Sequence, residues 1–439
     1  MMHSQLAGLV ALQPPISLLP DVRQAALVTR LDLKDCLALG DGRWLLVLRD
    51  QSARTWLTPS VVAGSSIRRA RAGDGLNESL LNLMATSHDA DSGIVWESWN
   101  LPIGMGEENI AADQTNRSVV VGNIAVVKWH SILSTSNPAP RILKALKAEG
   151  FESTPKLYGL LKWIDPENQT RDPFLLVTIT EFLPESQDGW EWVVADLTNY
   201  LEGAIAFDES ISPLMILGEI AARLHIDLAF LGMEDSQTDF SKDWISGAIQ
   251  DLNSVLKEVD GDELEHVEAR RHQIIRTLES VAGIDRTRLT TVHGDLHVGQ
   301  FLRHRADGPT SASRYVVIDF DGNPVIDEAE KLARKPAAFD IASMLQSIDH
   351  VGRIVQRKRG GVADQRIEEW IAAAQKHFLT GYSGRLNQSG QANLLDERLL
   401  FAFRVRQELR EFLYAERHLA RWRFVADQAL AALMDNESM

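Results

Sequence analysis

The segment Val292 to Pro324, VHGDLHVGQFLRHRADGPTSASRYVVIDFDGNP, sets three polar side chains at a distinctive spacing: Asp295, Gln300 five residues on, and Asp319 at the head of DFDG. Phosphoryl transfer asks for such a set: an oxygen base beside the attacking hydroxyl, and oxygen ligands that hold magnesium on the nucleotide phosphates. Protein kinases supply it from two adjacent loops, with an Asp base, an Asn five residues later, and a second Asp opening D-F-G. The same order stands here, with Gln300 in the amide position, where its carbonyl can ligate as that of Asn does. Each piece alone is weak. A His-Gly-Asp turn is common by chance, and DFDGNP by itself reads equally as an acidic strand-end turn or a calcium-like loop. The reading rests on their agreement in order and spacing, with a strand between them.

That strand is YVVI, Tyr315 to Ile318, a short β-branched run that delivers Asp319 at its end, while HRADGPTSAS before it supplies turn residues. Upstream, NRSVVVGNIAVVKWH (Asn116 to His130) reads as a hairpin around a Gly-Asn turn. Lys128 closes its second strand. A lysine there is often merely solvated, but AVVK matches the kinase V-A-I-K, whose Lys reaches the α and β phosphates. No G-x-G-x-x-G precedes the hairpin, so donors around Asn116, Ser118 and Gly122 are expected to contact phosphate instead. A helix over Asn137 to Phe151 should carry the acidic partner of Lys128, for which Glu149 is a candidate. The strands PKLYGLLKWID and FLLVTITEFLP complete a small sheet, and helical spacing dominates thereafter: Asp188 onward, Leu214 to Gly232, and one long charged segment from Trp244 to Ala282. Trp190 and His225 read as packed helix residues.

HGDLHVGQ with VIDFDGNP resembles the aminoglycoside phosphotransferase-like superfamily, and within it the bacterial maltokinases and the related actinobacterial glucosamine kinases. Gln300, where aminoglycoside phosphotransferases usually show Asn, favours that subgroup. The resemblance covers the whole chain and implies an α+β, bilobal fold of the eukaryotic protein kinase type. Residues 1–100 would form a β-rich cap subdomain, 101–184 an N-lobe with Lys128, and 185–439 a helical C-lobe. Within the cap, Arg43 to Asp50 and Gly93 to Asn100 read as strands and Arg68 to Ser79 as a loop. The resemblance further implies that backbone at Glu181 and Leu183 binds adenine, that Asp321 assists the metal or orders its loop, and that Asp340 braces the catalytic loop. Arg141 stands where related maltokinases have Glu.

Substrate choice falls on RVRQELREFLYAERHLARW, Arg404 to Trp422. Gln407, Glu411 and Tyr414 share one helical face. Spacing alone favours a solvated stripe, with Glu408 against Arg404 and Glu411 against Arg406 or Arg410. The family pattern shifts the balance: maltokinases carry Lys at the position of Gln407, with a matching Glu and Tyr, and glucosamine kinases replace that Lys. A carboxylate suits an ammonium, which a nearby Lys would repel. The resemblance therefore implies transfer from ATP, with magnesium, to D-glucosamine, giving glucosamine 6-phosphate. The alternatives are a maltokinase making maltose 1-phosphate, another small-sugar or aminoglycoside phosphotransferase, and a non-catalytic nucleotide-binding relative. Trp422 receives no ligand role.

Composition sets the outer bounds. The chain has 439 residues, enough for two or three domains and a sizeable core. A formal charge of −16 argues against nucleic-acid partners and agrees with a cationic acceptor. The lone Cys36 excludes an internal disulfide and fits a reducing compartment, so the cytoplasm is expected. The first twenty residues lack a basic leader segment, and no apolar run is long enough to span a bilayer. A small-molecule partner is expected, with the chain a monomer or an oligomer of unspecified order.

Overall fold

The computed structural model describes residues 3–19, 26–87, 92–110, 117–167, 172–236, 240–284, 286–305, 313–323 and 326–437. Asn116, Pro324 and most of the turn after Arg305 lie outside them. The chain divides into two units, Met1–Pro140 with Pro155–Pro184, and Arg141–Thr154 with Glu185–Met439.

In the first unit, RWLLVLRD carries consecutive apolar residues, and a strand of that kind must be covered on both faces. It forms β2 (Arg43–Asp50) of an antiparallel sheet ordered β1 (Leu31–Gly40), β2, β3 (Thr55–Ala63), β4 (Ser66–Arg69). Leu46 and Leu48 pack with Leu6 and Val10 of helix α1 (His3–Ala11) and Leu18 of α2 (Pro15–Leu18). Leu45 and Val47, on the other face, join the core of a second sheet. The expected loop Arg68 to Ser79 is shorter than foreseen, because it begins inside β4 and ends inside helix α3 (Leu76–Thr86). A distant side chain starts that helix: Glu107 accepts from the main-chain N–H groups of Gly73, Gly75, Asn77 and Glu78 at 2.6–3.3 Å. Local sequence carries no sign of such a cap.

The second sheet comprises β5 (Ile94–Ser98), β6 (Glu107–Asn109), β7 (Arg117–Val121), β8 (Ala125–Trp129), β9 (Leu157–Trp163) and β10 (Phe174–Glu181), in the order β5-β9-β10-β8-β7-β6. β5, assigned by sequence to the cap, pairs here with β9. The hairpin β7–β8 forms as expected. Gly122 and Asn123 take φ of 58° and 56°, and Ile124 N–H donates to the Val121 carbonyl. Its register aligns Ser118, Lys128 and Thr178 across β7, β8 and β10, so the three share one face.

The second unit is mostly helical. It contains α4 (Ala139–Ala148) from Arg141 onward, α5 (Gly189–Leu201), α6 (Phe207–Ala229), α7 (Phe240–Glu258), α8 (Gly261–Glu279), α9 (Glu328–Leu332), α10 (Ala338–Lys358), α11 (Gln365–Gln388), α12 (Leu400–His418) and α13 (Arg423–Glu437). The segment expected as one helix from Trp244 to Ala282 is two. Asp260 is extended and Gly261 has φ 72°, which breaks the ladder and lets α7 and α8 fold back on each other around Val255, Val259, Val267 and Ile274. Strands β11 (Glu234–Asp235) and β12 (Arg288–Leu289) make one short ladder, and β13 (Phe301–His304) and β14 (Arg314–Val317) make another. No described helix is long and apolar enough to cross a membrane.

Candidate active site

The loop that carries Asp295 is held by one carboxylate. Asp340, fully buried in the first turn of α10, accepts the N–H of His293 at 2.7 Å and that of Gly294 at 2.9 Å. Behind it, His225 Nε2 lies 3.0 Å from Asp340, and His225 Nδ1 lies 2.7 Å from the Tyr382 hydroxyl. Burial alone would raise the Asp340 pKa, but bonds from His225 and Gly294 outweigh it and hold the pKa below its ordinary value. His225 is thus a buried hydrogen-bonded link, beyond the packing role its leucine-rich surroundings implied. His293 ties the loop to the next one, its Nε2 donating to the Ile318 carbonyl at 2.9 Å while its Nδ1 accepts from Asp295 N–H at 3.3 Å. That neutral tautomer agrees with burial, which lowers the His293 pKa.

Ladder register then sets the distance between the two chemical loops. Phe301 pairs with Val317, and Ile318 N–H donates to the Gln300 carbonyl at 2.9 Å, so Gln300 stands beside the residue that precedes Asp319. Asp319 has φ 63°, a left-handed backbone that few non-glycine residues adopt and that collects at functional turns. Asn323, from the same DFDGN turn, donates its side-chain N–H to Asp295 at 2.9 Å, closing the second loop on the first. Asn323 was not singled out from sequence, although its place in DFDGNP was visible.

Asp295 is recessed, its side chain 21% exposed, with His297 Nε2 at 3.9 Å. Burial is the main force raising its pKa to about 6; Asp319, Glu411 and Asp340 add to it, against His297. A carboxylate poised there can take a hydroxyl proton near neutrality. His297 Nδ1 accepts from Gly299 N–H at 3.1 Å, and its Nε2 lies 3.1 Å from the Gln300 amide. The Gln300 Nε2 stands at that distance; because an imidazole that accepts at Nδ1 carries its proton at Nε2, exchanging the amide nitrogen and oxygen would turn the Gln300 oxygen towards His297 and complete the bond.

Among the described residues no three His, Cys, Asp or Glu side chains cluster as a metal cage. The donors on these two loops, Gln300, Asp319 and Asp321, are all hard oxygens. They fit magnesium, which binds through one or two carboxylates together with substrate phosphates.

α12 supplies the third wall. Gln407, 7% exposed, donates to Glu411 at 2.9 Å, and Tyr414 lies on the same face with its ring 5.1 Å from His418. The solvated stripe is absent. Arg406 and Arg410 bond Asp251, Arg410 also bonds Glu330, and Arg404 bonds Gln346 at 2.5 Å. Glu408 is wholly buried against Gln346 and His350. Burial raises the Glu411 pKa, and Glu411 in turn raises that of Asp295, so the two carboxylates lie within electrostatic reach of each other. Trp190 was read as core, yet its ring lies 5.9 Å from that of His297 and 6.2 Å from that of Trp422, an aromatic row beside Asp295 that helical spacing concealed.

Of the remaining candidates, Lys128, Ser118, Glu181 and Leu183 belong to the first unit, and Glu149 and Arg141 to the second. Lys128 lies on β8 between Ser118 and Thr178, and Trp129 next to it donates to Asn77 at 2.9 Å. Glu181 ends β10 and accepts from Lys156 N–H, Phe182 N–H donates to Ile124, and Leu183 is buried. Glu149 is exposed just past α4, and Arg141 bonds the Leu231 carbonyl.

No protein-family model matches the chain. A glucosamine kinase of Streptacidiphilus jiangxiensis is 38% identical over 440 residues, spanning 97% of both chains. The chain belongs to the glucosamine kinase family. A glucosamine kinase of Mycolicibacterium smegmatis is 36% identical, over 91% of this chain and 98% of the relative. A solved glucosamine kinase structure, in complex with glucosamine, ADP and inorganic phosphate, superposes with a TM-score of 0.81 at 36% identity, over 97% of this chain and 98% of the other. The α+β kinase-like fold expected from HGD and DFDG is that of the glucosamine kinases.

Proposed function

We propose that this protein transfers the γ-phosphoryl group of ATP to D-glucosamine, giving glucosamine 6-phosphate and ADP, in the cytoplasm. The observation that carries the reading is Glu411: fixed by Gln407 and within electrostatic reach of Asp295, it offers a carboxylate to an acceptor ammonium beside the base. Asp295 accepts the proton of the sugar hydroxyl as its oxygen bonds to phosphorus and the bond to the β-phosphate oxygen breaks. Gln300, Asp319 and Asp321 hold magnesium, which when bound neutralises the charge of the phosphates. Lys128 and Ser118 position the α and β phosphates, backbone at Glu181 and Leu183 binds adenine, and Tyr414 contacts the sugar. A loose transition state needs this positioning and no phosphoenzyme.

ADP release measured across glucosamine, glucose, maltose and kanamycin tests the reading. Glucosamine should give the highest kcat/KM. Faster turnover of maltose would replace the proposed acceptor, and no turnover of any would return the chain to the nucleotide-binding class.

A further inference from the structure

Beneath the face that presents Gln407 and Glu411 lies an ion pair that phosphoryl transfer does not use. Glu408, on α12, is 0% exposed and lies 2.9 and 3.2 Å, by its two oxygens, from His350 Nε2 of α10. Gln346 also donates to Glu408 and in turn accepts from Arg404. Neighbouring charges are otherwise engaged: Arg353 bonds both Asp349 and Glu368. His350 is therefore the cation that α10 turns towards this part of α12.

A buried carboxylate tends to take up a proton unless it is paired. Glu411 is half-buried, with the neutral Gln407 amide donating to it. Burial and Glu408 both favour its protonated form; His350 and the Gln407 amide oppose this. On the other side, burial works against a charged His350, yet Glu408, Glu411 and Asp349 raise its pKa to about 9. The charged and titratable groups around the two are Glu408 and Arg404 on α12, Asp349 on α10, and Asp295 and His297 on the Asp295 loop. Arg404 is turned to the Gln346 side chain, which leaves His350 as the cation bonded to Glu408. A protonated Glu411 would lose its attraction for an ammonium and accept a neutral sugar equally well.

We propose that His350, held by Glu408 beneath the face that carries Gln407 and Glu411, is a positioning residue for acceptor specificity and favours an ammonium-bearing sugar at Glu411. The inference rests on the proposed amino-sugar acceptor. The first arm therefore measures wild-type turnover of glucosamine, and its absence would remove that reading rather than this one. With wild type active, His350→Gln keeps a hydrogen bond to Glu408 but no charge. It should raise the KM for glucosamine about tenfold, as loss of a charge-assisted bond implies. KM for ATP and kcat should stay within about threefold of wild type, and the acidic limb of kcat/KM for glucosamine should move to higher pH. His350→Lys, which restores a cation, should recover most of the affinity. An unchanged KM for glucosamine, or an equal rise for ATP, overturns the proposal, as does a folded His350→Lys no better than His350→Gln. If His350→Lys does not fold, the pH limb of His350→Gln decides alone.

Discussion

Asp295 is recessed, with three other carboxylates acting on it, and its pKa near 6 has consequences of opposite sign for activity and for stability. A base works ionised, so kcat/KM should fall about tenfold per pH unit below the pKa of Asp295, read from a pH–rate profile. For stability, the folded state holds its proton to higher pH than the unfolded chain, whose Asp has an ordinary value of 3.8. Between those values the native state binds more protons, so stability falls as pH rises through the window, and the ionised form remains a cost above it. Asp295→Asn should therefore lower kcat by about 10³-fold or more while leaving ATP affinity near wild type. The same variant should raise unfolding stability above that window by on the order of 2 kcal/mol, seen by denaturant titration. Substantial residual turnover would remove Asp295 from the base role.

At the scale of elements, the two chemical loops are positioned by groups that touch no substrate. The chain Tyr382, His225, Asp340 runs from α11 through α6 to α10 and ends on the N–H groups of His293 and Gly294. Tyr382→Phe leaves one ring nitrogen of buried His225 without its partner and should cost about 1–3 kcal/mol in chemical denaturation. Gly189, at the start of α5, packs against the turn that carries Gln300, and a Cβ there would run into the Val298 carbonyl. Backbone cannot move aside as a side-chain tip does. Gly189→Ala should destabilise by about 1–3 kcal/mol and lower kcat by shifting Gln300, measured together by thermal melts and ADP release.

For the molecule as a whole, the charge of −16 acts on both substrates in opposite senses. It repels the nucleotide and attracts a cationic sugar over distances that salt screens. Raising ionic strength from low to physiological values should lower the KM for ATP and raise that for glucosamine, each by about twofold. Parallel shifts in both would assign the salt effect to something other than this field. On the proposed reading, Lys128 and the oxygens of Gln300, Asp319 and Asp321, with magnesium, offset that background locally for the nucleotide.

Short-range information was legible where a local rule could act alone. The hairpin that carries Lys128 follows from short β-branched runs around Gly122 and Asn123. The order Asp295, Gln300, Asp319 follows from spacing, and the α+β kinase-like class was what the family resemblance of HGDLHVGQ and VIDFDGNP implied. The loop before α3 was misread because Glu107 caps that helix from a remote strand. The break at Gly261 was hidden inside a favourable helical pattern. The helix around Gln407 looked like a solvated stripe until Arg404, Arg406 and Arg410 found partners on other elements and Glu408 turned inward to His350. Spacing along one segment was enough to single out Asp295, Gln300 and Asp319 as the candidates for the chemistry and to give their order, because a short strand joins the two loops. The raised pKa of Asp295 and the groups set around it, Asn323 and Glu411, come from the folded arrangement alone, because burial and charge depend on elements far apart in the chain.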